Sequence, residues 1–108
     1  MTTIELPLRL VSVANVREHW TKRACRAKHH RNMAIVVPRV PLPVLVTITR
    51  LGPRTLDDDN LAGSAKALRD GIAARLNVDD GDTARIQFRY AQEKSKAYGV
   101  RITLEPMA

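Results

Sequence analysis

Aromatic residues make up only 4% of the 108-residue chain, and cysteine occurs once. A lone Cys25 cannot close an internal disulfide, which fits a reducing cytoplasm. One Trp, two Tyr and one Phe poorly supply the stacking surface on which RNA-recognition sheets hold bases. No apolar stretch approaches the ~20 residues of a membrane span. The first residues, Met1-Thr2-Thr3-Ile4-Glu5, lack the basic-then-apolar layout of a secretory signal. No internal repeat or low-complexity linker divides the sequence, so a single domain over 1–108 is expected, with a core large enough for two layers of secondary structure.

Acidic residues are also scarce: 11 Asp and Glu stand against 18 Lys and Arg, for a net charge of +7 and a pI near 10.3. Residues 1–56 hold 10 Lys/Arg and 2 Glu, whereas residues 57–108 hold 8 Lys/Arg and 9 Asp/Glu. The basic half is expected to face a polyanion such as the phosphate backbone of a nucleic acid. Within such a chain two acidic knots, Asp57-Asp58-Asp59-Asn60 and Asp79-Asp80-Gly81-Asp82, need a reason of their own.

Hydrophobic periodicity places these knots on elements. Ile4, Leu6, Leu8 and Leu10 alternate with polar residues, predicting a half-buried strand over 4–10, at a sheet edge because of Pro7. From Arg17 to Val36 the pattern is helical. Trp20, Ala24, Ala27 and Ala34 fall on the presumptive core face, and Lys22, Arg23, Arg26, Lys28 and Arg31 on a basic outer face. Pro38, Pro41 and Pro43 end that helix. Residues 44–50 are β-branched and predict a strand. Leu61, Ala65, Leu68, Ile72 and Leu76 then predict one amphipathic helix from Asp59 to about 76, with Asn77 in the left-handed conformation past its end. Two final strands follow around Ile86–Tyr90 and Val100–Leu104. The fold class expected is α+β: a mixed four-stranded sheet with two helices, in the order β-α-β-α-β-β.

Phosphodiester cleavage gives paired carboxylates a use. A divalent ion held by a few hard oxygen ligands activates water and stabilises charge on phosphoryl oxygens. Asp57 and Asp59, at i and i+2, straddle a strand-to-helix turn. Aspartate at a helix start is also favoured as a cap and by the macrodipole, but three in a row repel one another. Residues 57–68 lack the spacing of a calcium-binding EF-hand loop, and His19, His29, His30 and Cys25 match no zinc motif. The histidines are expected to extend the phosphate-facing surface, Cys25 to be a small buried residue, and Trp20 to serve packing.

With Leu56-Asp57-Asp58-Asp59-Asn60-Leu61, a helix carrying Lys66 and Asp70, and Val78-Asp79-Asp80 before a strand, the chain resembles the RusA family of Holliday-junction resolvases. These are small, dimeric, Mg²⁺-dependent endonucleases frequently encoded by phages and prophages. An N-terminal strand leading to Asn15 extends the likeness loosely over most of the chain. The resemblance implies that Asp57, Asp59 and Asp80 are catalytic metal ligands assisted by Asp79, and that Mg²⁺, with Mn²⁺ as an alternative, is the cofactor. The family's lysine falls ungapped on Gly63. An insertion of Ala62-Gly63-Ser64 restores it at Lys66, about 4–5 Å farther along the helix axis on roughly the same face. Lys66 is then a catalytic candidate, or simply the i+4 partner of Asp70.

A helix over 59–76 would be about 25 Å long and would carry Asp80 away from Asp57. Either the loop folds back, or the two knots meet across the two-fold axis of a homodimer, which is the favoured expectation. Asn15, Arg17, Lys22, Arg23, Arg26, Lys28, Arg50, Arg54 and Asn60 are the expected DNA contacts. Arg50 and Arg54 have a second reading, in which they offset repulsion in the acidic loop. The function expected is cleavage of branched DNA in the bacterial cytoplasm, with no membrane partner. The alternative is a non-catalytic DNA-binding or structural phage protein of the same fold. A ribosome-like RNA-binding protein would explain the charge but neither acidic knot.

Overall fold

A computed structural model describes residues 1–11 and 20–107. The elements run β1 (Thr2–Leu6), α1 (Trp20–Met33), a 3₁₀ turn (Ala34–Val36), β2 (Val44–Gly52), α2 (Asp58–Ser64), α3 (Lys66–Arg75), β3 (Ile86–Lys94) and β4 (Gly99–Pro106). The fold is α+β, with a four-stranded sheet in the order β1-β4-β2-β3. β2 and β3 are parallel, while β4 is antiparallel to both β1 and β2. Among the described residues the helical segments number three rather than the expected two, besides the 3₁₀ turn.

Strand alternation builds the core. Val44, Val46, Ile48, Ile86, Val100, Ile102 and Leu104 are each at most 2% exposed, and they share one sheet face because Ile48 is in register with Ile102 and Val46 with Phe88. Leu68 and Ile72 of α3 join the same core. On the opposite face Arg101 of β4 reaches Glu5 of β1 at 3.3 Å and Glu93 of β3 at 2.6 Å. That cation bridges the strands over Thr49, its partner in register.

Two elements end earlier than their periodicity suggests. β1 stops at Leu6, where Pro7 has no N–H to donate to the ladder. Leu8 and Leu10 are nevertheless buried, so the alternation correctly marked the inward residues beyond the strand. β1 is an edge strand, as Pro7 implied. The predicted helix over 59–76 is broken at Ala65. Gly63 is a poor helix former, and the Ser64 hydroxyl donates to the Leu61 carbonyl at 2.7 Å, competing with the main-chain bond there. At the far end, Asn77 has φ 56°. Its N–H bonds the Ala74 carbonyl and that of Val78 the Ala73 carbonyl, the paired bonds of a Schellman cap.

The core face expected for the first helix is observed only in part: Ala34 is 1% exposed and Ala27 is half-buried. Trp20 is 73% exposed, and Ala24 and Cys25 are exposed as well. The only fully buried residue of α1 is His30. The helix is seated instead by a close approach to α3. A Cβ built on Gly71 would lie 2.4 Å from the Arg31 carbonyl oxygen and 2.9 Å from the Ala34 Cβ. Gly71→Ala must therefore push α1 off α3, and a loss of about 1–3 kcal/mol is expected from the overpacking. Urea unfolding of the two proteins measures it; equal midpoints would show that the contact yields freely.

Candidate functional site

The first acidic turn is held by a side chain of the neighbouring strand. Gln92 of β3 accepts from the Leu56 N–H at 2.8 Å and donates to the Leu56 carbonyl at 2.7 Å. Leu56 is thereby clamped one residue before Asp57, which occupies the N-cap of α2 without making a side-chain capping bond. Asp57, Asp58 and Asp59 are all exposed. Among the described residues their carboxylates have no hydrogen bond and no ion pair, although Asp70, Asp80, Asp82, Glu5 and Glu93 each face a cation. Capping, the plainest account of aspartate here, is not what these side chains do.

The second turn is occupied internally. Asp79 accepts from the Gly81 N–H at 2.9 Å, and Asp82 pairs with Arg85 at 2.8 Å, whose hydrogen bond lowers the Asp82 pKa. Asp80 faces Arg69 of α3. The Arg69 Nε, shielded from solvent, lies 3.3 Å from Asp80 Oδ2 without hydrogen-bond alignment. The other guanidinium nitrogens donate to the Tyr90 hydroxyl at 3.1 Å and the Asp80 carbonyl at 3.3 Å. The guanidinium also stacks 4.7 Å from the Phe88 ring centre. Arg69 thus fastens the second turn to α3 and β3 at once.

This brace changes the expected geometry. The loop folds back along α3 within the same chain, and Asp80, Tyr90 and Arg69 line a cavity of about 380 Å³ together with Gly63 and Lys66. Both positions considered for the lysine therefore face the same space. Lys66 lies 3.8 Å from Asp70 in a largely exposed pair, a weak interaction that leaves its ammonium accessible. Asp57 and Asp59 do not reach this cavity. Among the described residues no group of three His, Cys, Asp or Glu side chains is placed to hold a metal ion. The ligand set of Asp57, Asp59 and Asp80, with Asp79 assisting, does not fit a metal within one chain.

The expected phosphate contacts divide. Lys22, Arg23, Lys28 and Arg54 are exposed, and Arg26 and Asn60 are half-buried. Arg50 is 5% exposed and serves the fold: its Nε donates to the Leu10 carbonyl at 3.1 Å and its terminal nitrogen to the Arg54 carbonyl. Those bonds tie the segment after β1 to the end of β2, so Arg50 is withdrawn from any phosphate role. Asn15, Arg17 and His19 lie outside the described residues.

Arg69 and Gln92 were not singled out from the sequence. The signal for Gln92 was present, since the alternation Ile86, Phe88, Tyr90 carries it to the inward face. Replacing Arg69 by Met keeps much of the stem but removes two hydrogen bonds and the ring contact, and is expected to cost about 2–4 kcal/mol. Chemical denaturation measures the loss; an unchanged midpoint would mean that the loop is held by something else. His30 gives a pH-dependent expectation. Its pKa is lowered first by burial, then by His29 and Arg26. Neutral His30 therefore supports the fold fully above the ordinary histidine value of 6.5, and that support is lost as pH falls through the lower folded value. His30→Gln should flatten the drop in melting temperature between about pH 7.5 and 5.5; an identical drop in both proteins would clear His30.

No family model matches the chain. The sequence is 37% identical over 81 residues to an uncharacterized protein of Xylella fastidiosa (strain Temecula1), covering 61% of this chain and 51% of that protein. The chain thus spans about half the length of the curated relative it matches.

Proposed function

We propose that the chain is a Mg²⁺-dependent endonuclease for branched DNA, similar to the RusA resolvases and acting as a homodimer, with Mn²⁺ as an alternative ion. The observation that carries this reading is the first acidic turn. Three aspartates stand uncompensated among the described residues on a clamped strand-to-helix turn, in a chain with 18 basic residues whose other described acids are mostly paired. Such a concentration of repulsion costs stability and is relieved by an external cation. Lys22, Arg23, Lys28 and Arg54 would hold backbone phosphates, and Lys66, beside Asp80 and Tyr90, would stabilise charge on a reacting phosphate. Asp57 and Asp59 are what one chain offers the ion, and in this reading the remaining carboxylates come from the second protomer.

One observation favours a second reading, a DNA-binding protein that does not cleave. Asp80 is engaged by Arg69, and no three-carboxylate group forms within the described residues. A synthetic four-way junction separates the two. With Mg²⁺ the wild type is expected to nick the junction, and Asp59→Asn to bind it equally or slightly more tightly without cutting. Binding with no nicking under Mg²⁺ or Mn²⁺ would establish the second reading. Mixed dimers of Asp57→Asn and Asp80→Asn chains test the sharing of carboxylates: an active fraction is expected, and complete inactivity would remove the two-fold site.

A further inference from the structure

We infer that the cleft between α1 and the α2–α3 junction is a phosphate-binding site. Its α1 wall consists of Arg23, Arg26, Ala27, His30 and Arg31, at i, i+3, i+4, i+7 and i+8, which is one helical stripe. In an ordinary packed helix this stripe is apolar; here it lines the cleft with three arginines, of which Arg26 is half-buried and Arg23 and Arg31 are exposed. Trp20 and Ala24 do not line the cleft and are exposed, whereas Ala27 lines it and is half-buried. The opposite wall contributes Lys66 from the first turn of α3, so among the described residues four cations and one carboxylate, Asp70, line the cleft.

The cleft encloses about 270 Å³, room for a tetrahedral oxyanion and several waters at ~30 Å³ each. Val11, Ala27 and Ala67 also line it, and apolar walls of this kind reduce the screening that an anion inside would feel. Arg23 and Arg31 have no carboxylate partner among the described residues, and the Lys66–Asp70 pair at 3.8 Å is loose. Position is the second argument. Gly63 and Lys66 line both this cleft and the cavity that contains Asp80 and Tyr90. A phosphate seated here lies one lysine away from the proposed cleavage site, as a phosphate flanking the scissile one would. For a polynucleotide source the inference rests on the DNA reading; for inorganic phosphate it does not.

Both sources share the tetrahedral phosphate chemistry, and two arms distinguish them. In the first, the ¹⁵N-labelled 12.1 kDa chain is titrated with inorganic phosphate at fixed ionic strength. Saturable amide shifts are expected along 23–31 and 63–67. The double variant Arg23→Gln/Arg31→Gln should weaken binding by about tenfold or more. Ala27→Glu, which leaves both arginines in place but introduces a carboxylate, should abolish it, and Lys96→Gln, at an exposed lysine outside the cleft, should leave it unchanged. In the second arm, junction affinity is measured against salt without divalent ions. Loss of one captured phosphate lowers the slope of log K against log salt by about 0.9 in the double variant. An unchanged slope, with phosphate binding still dependent on the arginine pair, assigns the cleft to a free phosphate. Junction binding that fails altogether removes the proposed function and leaves the cleft assignment standing. Shifts confined to other residues, or equal phosphate affinity in wild type and both cleft variants, would overturn it.

Discussion

Parallel pairing of β2 with β3 is the constraint on which the placement of both acidic turns depends. Parallel neighbours need a crossover, and here α2 and α3 supply it. The chain leaves β2 at one end of the sheet, where it forms the first acidic turn. It must re-enter β3 from the other end, where it forms the second. Both strands have nine residues and pair over their full length, so the two ends lie roughly 25–30 Å apart. Only a loop that doubles back narrows that gap. Residues 79–85 do so, and Arg69 holds them, but the fold-back carries Asp80 only to the middle of the sheet, beside Tyr90. The separation of the two carboxylate groups within one chain is therefore a matter of topology rather than of side-chain rotation.

Much of this was legible in the residues. β-branched runs and strict alternation located β2, β3 and β4, and Asn77 marked the cap of α3. The α+β class with a mixed sheet followed from their order. Periodicity also identified Leu8 and Leu10 as inward, though it extended their strand too far. What remained hidden was tertiary. Gly71 reads as a helix weakness in isolation, and only the Arg31 carbonyl 2.4 Å from its would-be Cβ explains it. The inward face of α1 was misjudged in part for a related reason. Ala34 is in the core and Ala27 faces the cleft, but Trp20 and Ala24 are exposed, and arginines with long aliphatic stems line the cleft instead.

Arginine illustrates how far residue type alone falls short of function. Arg50 looks like a phosphate contact in sequence, yet it and Arg69 spend their donors on carbonyls and side chains of this chain. A guanidinium with five N–H groups can satisfy several loop carbonyls at once, which an ammonium cannot do as well. The interior arginines are accordingly found where irregular segments must be tied together. Arg23 and Arg31, on a regular helix whose carbonyls are already bonded, have no such duty. The distinction between cations that serve the fold and cations left for a ligand follows from the unsatisfied backbone groups nearby.

The break at Ala65 bears on how a RusA-like pattern tolerates extra residues. In an uninterrupted helix, Ala62-Gly63-Ser64 would displace Lys66 along the axis by nearly a turn. With Gly63 and Ser64 weakening that turn, the helix restarts at Lys66, and Gly63 and Lys66 face the same cavity. A lysine that departs from the pattern in sequence can thus occupy the same region in space. The break also makes Lys66 the first residue of α3, where unpaired main-chain N–H groups add positive potential to its own charge. In the proposed reading, charge stabilisation at this corner would depend less on the register of one side chain than on where the helix begins.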